Sequence, residues 1–144
     1  MKTLYVKPAV AVRNWHIVDA SGKILGRVAA EVAAILRGKN KPHFVPHHEL
    51  GDYVVVINAA QIKVTGQKVT DKIYIDHTRF PGGIKSKTFG EMIKRKPVAP
   101  LEIAIRGMLP KNRLGRKLFN NVKVYSDGRH PHVAQKPQPM SIKE

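Results

Sequence analysis

Five successive apolar or aromatic residues, Tyr53 to Ile57, form the segment that most limits what this chain can fold into. Four of the five are β-branched. A short run of this kind, without polar alternation, reads as a strand buried on both faces, as in a parallel sheet. The expected strand spans Asp52–Asn58. Upstream, Asn14–Asp19 reads as a second short strand. Between them lies an amphipathic helix over Ile24–Leu36, in which Ile24, Leu25, Val28, Val32, Ile35 and Leu36 make one apolar stripe. Gly38 follows as a left-handed C-terminal cap. Strand, helix and strand in this order give a right-handed βαβ unit.

Further elements follow from local chemistry. Ile62–Thr65 and Lys72–Asp76 read as strands, and Pro81-Gly82-Gly83 as a turn. Thr88–Lys96 reads as a helix with Thr88 at the N-cap and Glu91 at the capping-box position. Pro100 suits the first turn of the next helix, whose core face is Leu101, Ala104, Ile105 and Met108, continued by Leu109. Pro110 closes it. Asn112 caps a further helix running to about Asn120, and Val122–Tyr125 reads as a last short strand. Residues 1–13 read as an N-terminal arm, 14–125 as a globular core and 126–144 as an extended tail. With 144 residues and 42% hydrophobic content, one domain can bury roughly 68–70% of its extended-chain surface.

Charge points to the partner. The net charge is +16. Between Arg79 and Lys117 lie eleven basic residues and two acids, Glu91 and Glu102. Apolar residues recur through this segment at helical spacing, so it is a folded element. One-sign charge of this density works against compaction unless a polyanion neutralises it, and nucleic acid is the obvious one. Arg113, Arg116 and Lys117 fall at i, i+3 and i+4 on one helix face. Leu114 and Leu118 fall on the other, with Phe119 near them. Lys39 and Lys41 lie in a loop with His43, Phe44, His47 and His48, residue types that meet phosphates or stack on bases. The residues expected to contact nucleic acid are Lys39, Lys41, Lys85, Lys94, Arg95 and Arg106. Lys111, Arg113, Arg116, Lys117 and Lys123 complete the set.

Other chemistries find little footing. With no cysteine, disulfides, thiolate metal sites and a Cys nucleophile are excluded. No Gly-rich phosphate-cradling loop, dinucleotide fingerprint or nucleophile elbow is present. Asp71 and Asp76, the carboxylates conceivable as a two-metal nuclease pair, flank a strand, where acids routinely end elements. No membrane anchor, cofactor or small-molecule substrate is expected, and a cytoplasmic location is the default. A free-standing RNA- or DNA-binding regulator is the alternative function.

Several separated motifs carry a family resemblance. Ile105-Arg106-Gly107-Met108-Leu109-Pro110, then Gly115-Arg116, then Val122-Lys123-Val124-Tyr125 resembles the hallmark segment of large-subunit ribosomal protein thirteen. Trp15 with Val18-Asp19-Ala20, Gly22-Lys23 with Leu25-Gly26-Arg27, and Leu36-Arg37-Gly38-Lys39 also fit. So do Gly51-Asp52-Tyr53, Val64-Thr65-Gly66, Gly82-Gly83-Ile84-Lys85 and the Pro137-Gln138-Pro139 tail. Length and tail look like the bacterial or organellar branch. The resemblance implies an α/β fold with three α/β/α layers around a small, mainly parallel four-stranded sheet. It also implies binding to large-subunit ribosomal RNA early in subunit assembly, beside neighbouring ribosomal proteins.

Overall fold

A computed structural model describes residues 11–142. Most of the expected N-terminal arm, 1–13, lies outside the described residues. Strand β1 (Trp15–Asp19), helix α1 (Leu25–Arg37) and strand β2 (Tyr53–Ile57) open the fold in the expected order. β1 and β2 pair in parallel, Trp15 with Tyr53 through Asp19 with Ile57. Gly38 ends α1 at φ 81°, a left-handed conformation that costs glycine nothing, and its N–H bonds the Ile35 carbonyl at 2.9 Å.

The unbroken apolar character of β2 has a direct cause. Val54 and Val56 point to the helices, Val55 points to the opposite face, and all three are fully buried. On the helix side, Val18, Val54, Val56 and Val122 pack with Val28, Val32 and Leu36 of α1. Leu101 and Ile105 of α4 (Ala99–Met108) and Leu118 of α5 (Arg113–Phe119) complete this core. Each such side chain contributes about 1.5–3 kcal/mol on burial. On the opposite face, the Trp15 ring stacks on Tyr53 at 4.6 Å and on His132 at 5.2 Å. The Tyr125 hydroxyl lies 2.8 Å from His132 Nε2. Burial, with His130 and Lys123 nearby, holds the His132 imidazole below its ordinary pKa.

The sheet is four-stranded and parallel, in the order β5-β2-β1-β6. β5 (Val122–Val124), expected as the last short strand, pairs with β2. The fourth strand is β6 (Gln138–Pro139), which pairs His16 with Gln138 and Ile17 with Pro139. The extended tail is therefore docked: Met140 N–H bonds the Ile17 carbonyl at 2.9 Å and Ile142 is buried. Proline is tolerated in β6 because it is an edge strand.

Two strand expectations change. Ile62–Thr65 makes one isolated parallel bridge, Lys63 with Ile24, because its neighbour there turns immediately into α1. Lys72–Asp76 forms β3 (Ile73–His77), but outside the main sheet, in an antiparallel hairpin with β4 (Ile84–Thr88). The Ile-Lys-Ser-Lys-Thr sequence of β4 has no apolar alternation, so only its pairing with β3 marks it as a strand. The short helix α2 (Lys68–Asp71) precedes the hairpin and α3 (Phe89–Arg95) follows it.

The helix starts match their sequence signals. Thr88 and Glu91 make a reciprocal capping box at 3.3 and 3.0 Å. Asn112 accepts the Gly115 N–H at 2.8 Å. Met108 departs from its expected core position and is 47% exposed. The chain leaves α4 in extended conformation at Leu109, which turns Leu109 inward in its place.

Candidate nucleic-acid interface

The corner between α4 and α5 is built on a close backbone approach. A β-carbon on Gly115 would overlap the Pro110 carbonyl oxygen. No other residue lets the first turn of α5 sit so near the end of α4. Leu118 is buried and Leu114 half-buried, which turns Arg113, Arg116 and Lys117 outward, all exposed. Alanine at position 115 is expected to destabilise the protein by about 2 kcal/mol or more, as backbone overlap forces the helices apart. Urea denaturation checks this, and an unchanged midpoint would show that the corner can relax.

The corner frames an open groove of about 630 Å³, lined by Arg106, Lys111, Asn112, Arg116 and Phe119 among others. The Arg106 guanidinium lies over the Phe119 ring, 4.5 Å from its centre, so its charge is steered across an aromatic surface. A smaller groove of about 280 Å³ shares Phe119 and Asn120 and adds Lys123, with Glu102. Among the described residues, none of Arg106, Lys111, Arg113, Arg116, Lys117 and Lys123 forms an ion pair with an acid. Arg106, Lys111 and Arg116 line the groove around Phe119 while Arg113 and Lys117 lie outside it, and exposed cations without acidic partners suit a phosphate backbone.

The remaining expected contacts are scattered. Lys39 lines a small groove of about 180 Å³ at the junction of α1 and α4, with Ala30, Ala34, Arg37 and Met108. Lys94 and Arg95 are exposed in the last turn of α3, and Lys85 is exposed on β4. Gly107 has open space around it and meets no internal packing demand.

Lys41 is committed internally. Its ammonium donates to Asp52 Oδ1 at 2.6 Å, to the Val12 carbonyl at 2.8 Å and to the Leu50 carbonyl at 3.0 Å. Asp52 is 2% exposed and also accepts the Asn14 N–H at 2.9 Å, with His16 Nε2 at 3.3 Å. Burial pushes the Asp52 carboxyl upward, but the bonds from Lys41 and Asn14 outweigh it and hold its pKa below the ordinary value. Beside it, Arg13 donates to the Glu49 carboxylate and carbonyl, and Asn121 donates to the same carboxylate at 2.6 Å. This network ties the loop after α1 to the start of the sheet.

Arg37 was missed as a candidate by sequence reasoning. It lines the α1–α4 groove, its guanidinium sits 5.8 Å from the Phe44 ring centre, and its Nε is buried without a hydrogen-bond partner. Its place in the last turn of α1, just before Gly38 and Lys39, was the available signal. Among the described residues, no group of three or more His, Asp or Glu is placed to hold a metal ion, and no helix is long and apolar enough to cross a membrane.

Known proteins align with this sequence almost end to end. The relatives are named large ribosomal subunit protein uL13. That of Symbiobacterium thermophilum is 55% identical over 98% of this chain and 99% of its own length. That of Cellvibrio japonicus is 53% identical over 99% of this chain and all of its own. That of Aeromonas salmonicida is 54% identical over the same shares. The family model described as Ribosomal protein L13 matches residues 13–131, a span holding β1 through β5 and the whole cationic corner, and the chain belongs to that family.

Proposed function

We propose that this protein is a structural, non-enzymatic constituent of the large ribosomal subunit. It binds large-subunit ribosomal RNA and supports early assembly of that subunit, in the bacterial cytoplasm. The observation that carries this reading is the α4–α5 corner, where exposed cations stand without acidic partners on a backbone contact that Gly115 alone permits. The full-length likeness to proteins named as large-subunit components supplies the partner class.

The mechanism is electrostatic clamping. Arg106, Lys111, Arg113, Arg116 and Lys117 meet phosphates and release their counterions. Lys123 extends the contact, and Lys39, Lys85, Lys94 and Arg95 add phosphate contacts from other faces. Because the cations are held by a folded frame, the arrangement of RNA strands governs recognition more than base identity does. Lys41 serves inside, holding the loop that presents Lys39. No cofactor or small-molecule substrate enters this mechanism.

Sedimentation of lysate on a sucrose gradient after a high-salt wash tests the reading. Comigration with the large subunit is the expected result. A free pool alone, in cells rich in ribosomes, would overturn it in favour of a free-standing regulator.

A further inference from the structure

The β3–β4 hairpin turns its apolar side away from the fold. By register, Ile73, Ile75, His77 and Ile84 share one face, while Tyr74, Asp76, Lys85 and Lys87 share the other. Tyr74 packs against the core, so the isoleucine face points outward. Ile73, Ile75 and Ile84 are 57%, 74% and 69% exposed, and Phe80 at the tip is 73% exposed. The tip is held by its own bonds. Thr78 N–H donates to the Gly83 carbonyl, Gly83 N–H to the Phe80 carbonyl and Arg79 N–H to His77 Nδ1, each at 2.9 Å. Arg79 adopts φ 69°, a left-handed conformation that a non-glycine residue takes at some cost. The fold thus presents a large aromatic side chain on a held tip and gains little burial from it.

Charge identifies the occupant. From Lys72 to Thr88 the cations are Lys72, Arg79, Lys85 and Lys87, and Asp76 is the acid. Arg79 adjoins the ring in sequence, while by register Lys85 and Lys87 lie on the Tyr74 side of the hairpin, so the hairpin as a whole is basic. A nucleic-acid strand brings both a phosphate for each cation and a flat base for the ring. We propose that Phe80 stacks on an unpaired base of large-subunit ribosomal RNA, with Arg79 on a flanking phosphate. This inference rests on the ribosomal RNA reading above and adds a base-stacking contact on a face remote in sequence from the α4–α5 corner.

Binding of the full chain to deproteinised bacterial large-subunit RNA tests it across a salt series. Phe80→Leu is expected to weaken binding about tenfold, within the range for one base–aromatic contact. The slope against salt should stay unchanged, since the substitution removes no charge. Phe80→Trp should bind like the parent. Normal affinity in Phe80→Leu, while the parent binds, overturns the stacking contact and leaves the corner intact. Failure of the parent to bind overturns both. In reconstituted subunits, a photoreactive phenylalanine analogue at position 80 should crosslink to RNA, and crosslinking to a ribosomal protein instead would overturn the proposal.

Discussion

Asp52→Ala is expected to lower stability by about 3–5 kcal/mol, the usual cost of stripping one partner from a buried ion pair. The side chain is 2% exposed and Lys41 is 12% exposed, so water cannot replace the missing carboxylate. The Lys41 ammonium would keep its bonds to the Val12 and Leu50 carbonyls but lose its charge partner. The Asn14 N–H would lose its acceptor at the entry to β1. Thermal unfolding should show a fall in Tm of about 10 °C or more. The double variant Asp52→Ala with Lys41→Met removes the stranded charge and should recover at least about 1 kcal/mol. A double variant no better than Asp52→Ala would show that the pair is not the source of the loss.

The same pair sets a pH dependence. The folded carboxyl titrates below its ordinary value of 3.8. Its contribution is therefore fully present above that value. It is lost as pH falls below 3.8 through the folded value, because the unfolded chain takes up the proton first. Asp52→Ala should lack this portion of the acid limb of a stability–pH curve.

Replacing Arg113, Arg116 and Lys117 together by alanine is expected to weaken RNA binding on the order of a hundredfold at low salt. The slope of log affinity against log salt should become shallower by about 2–3, because each phosphate left unneutralised removes roughly one unit or slightly less. The three side chains are exposed, so circular dichroism should remain that of the parent. Unchanged affinity and slope with an intact spectrum would remove this face from the interface. A uniform loss across RNA sequences is expected, since phosphate contacts carry little base information.

Local elements were largely legible in the sequence. The α1 stripe, the buried β2 run, the Thr88–Glu91 capping box and the Asn112 cap each depend on residues a few positions apart. So does the outward face of α5, because Leu114 and Leu118 fix its rotation through helical spacing alone. Net charge and its concentration between Arg79 and Lys117 point to a polyanion whatever the fold.

Contacts between distant residues were decided by the tertiary structure. The fourth strand of the sheet is Gln138–Pro139, which only its place beside His16 and Ile17 makes a strand. β4 exists because β3 lies beside it, and Arg106 lines the α4–α5 groove because α5 returns Phe119 beneath it. Lys39 and Lys41 were alike as residues of one basic loop, yet the first is exposed and the second is closed inside on Asp52. Sequence by itself determined how many cations this protein carries and on which helix faces they lie. Which of them remain available to a partner was decided by where the fold delivers its few acids, because a carboxylate neutralises a cation through proximity in space, whatever their separation along the chain.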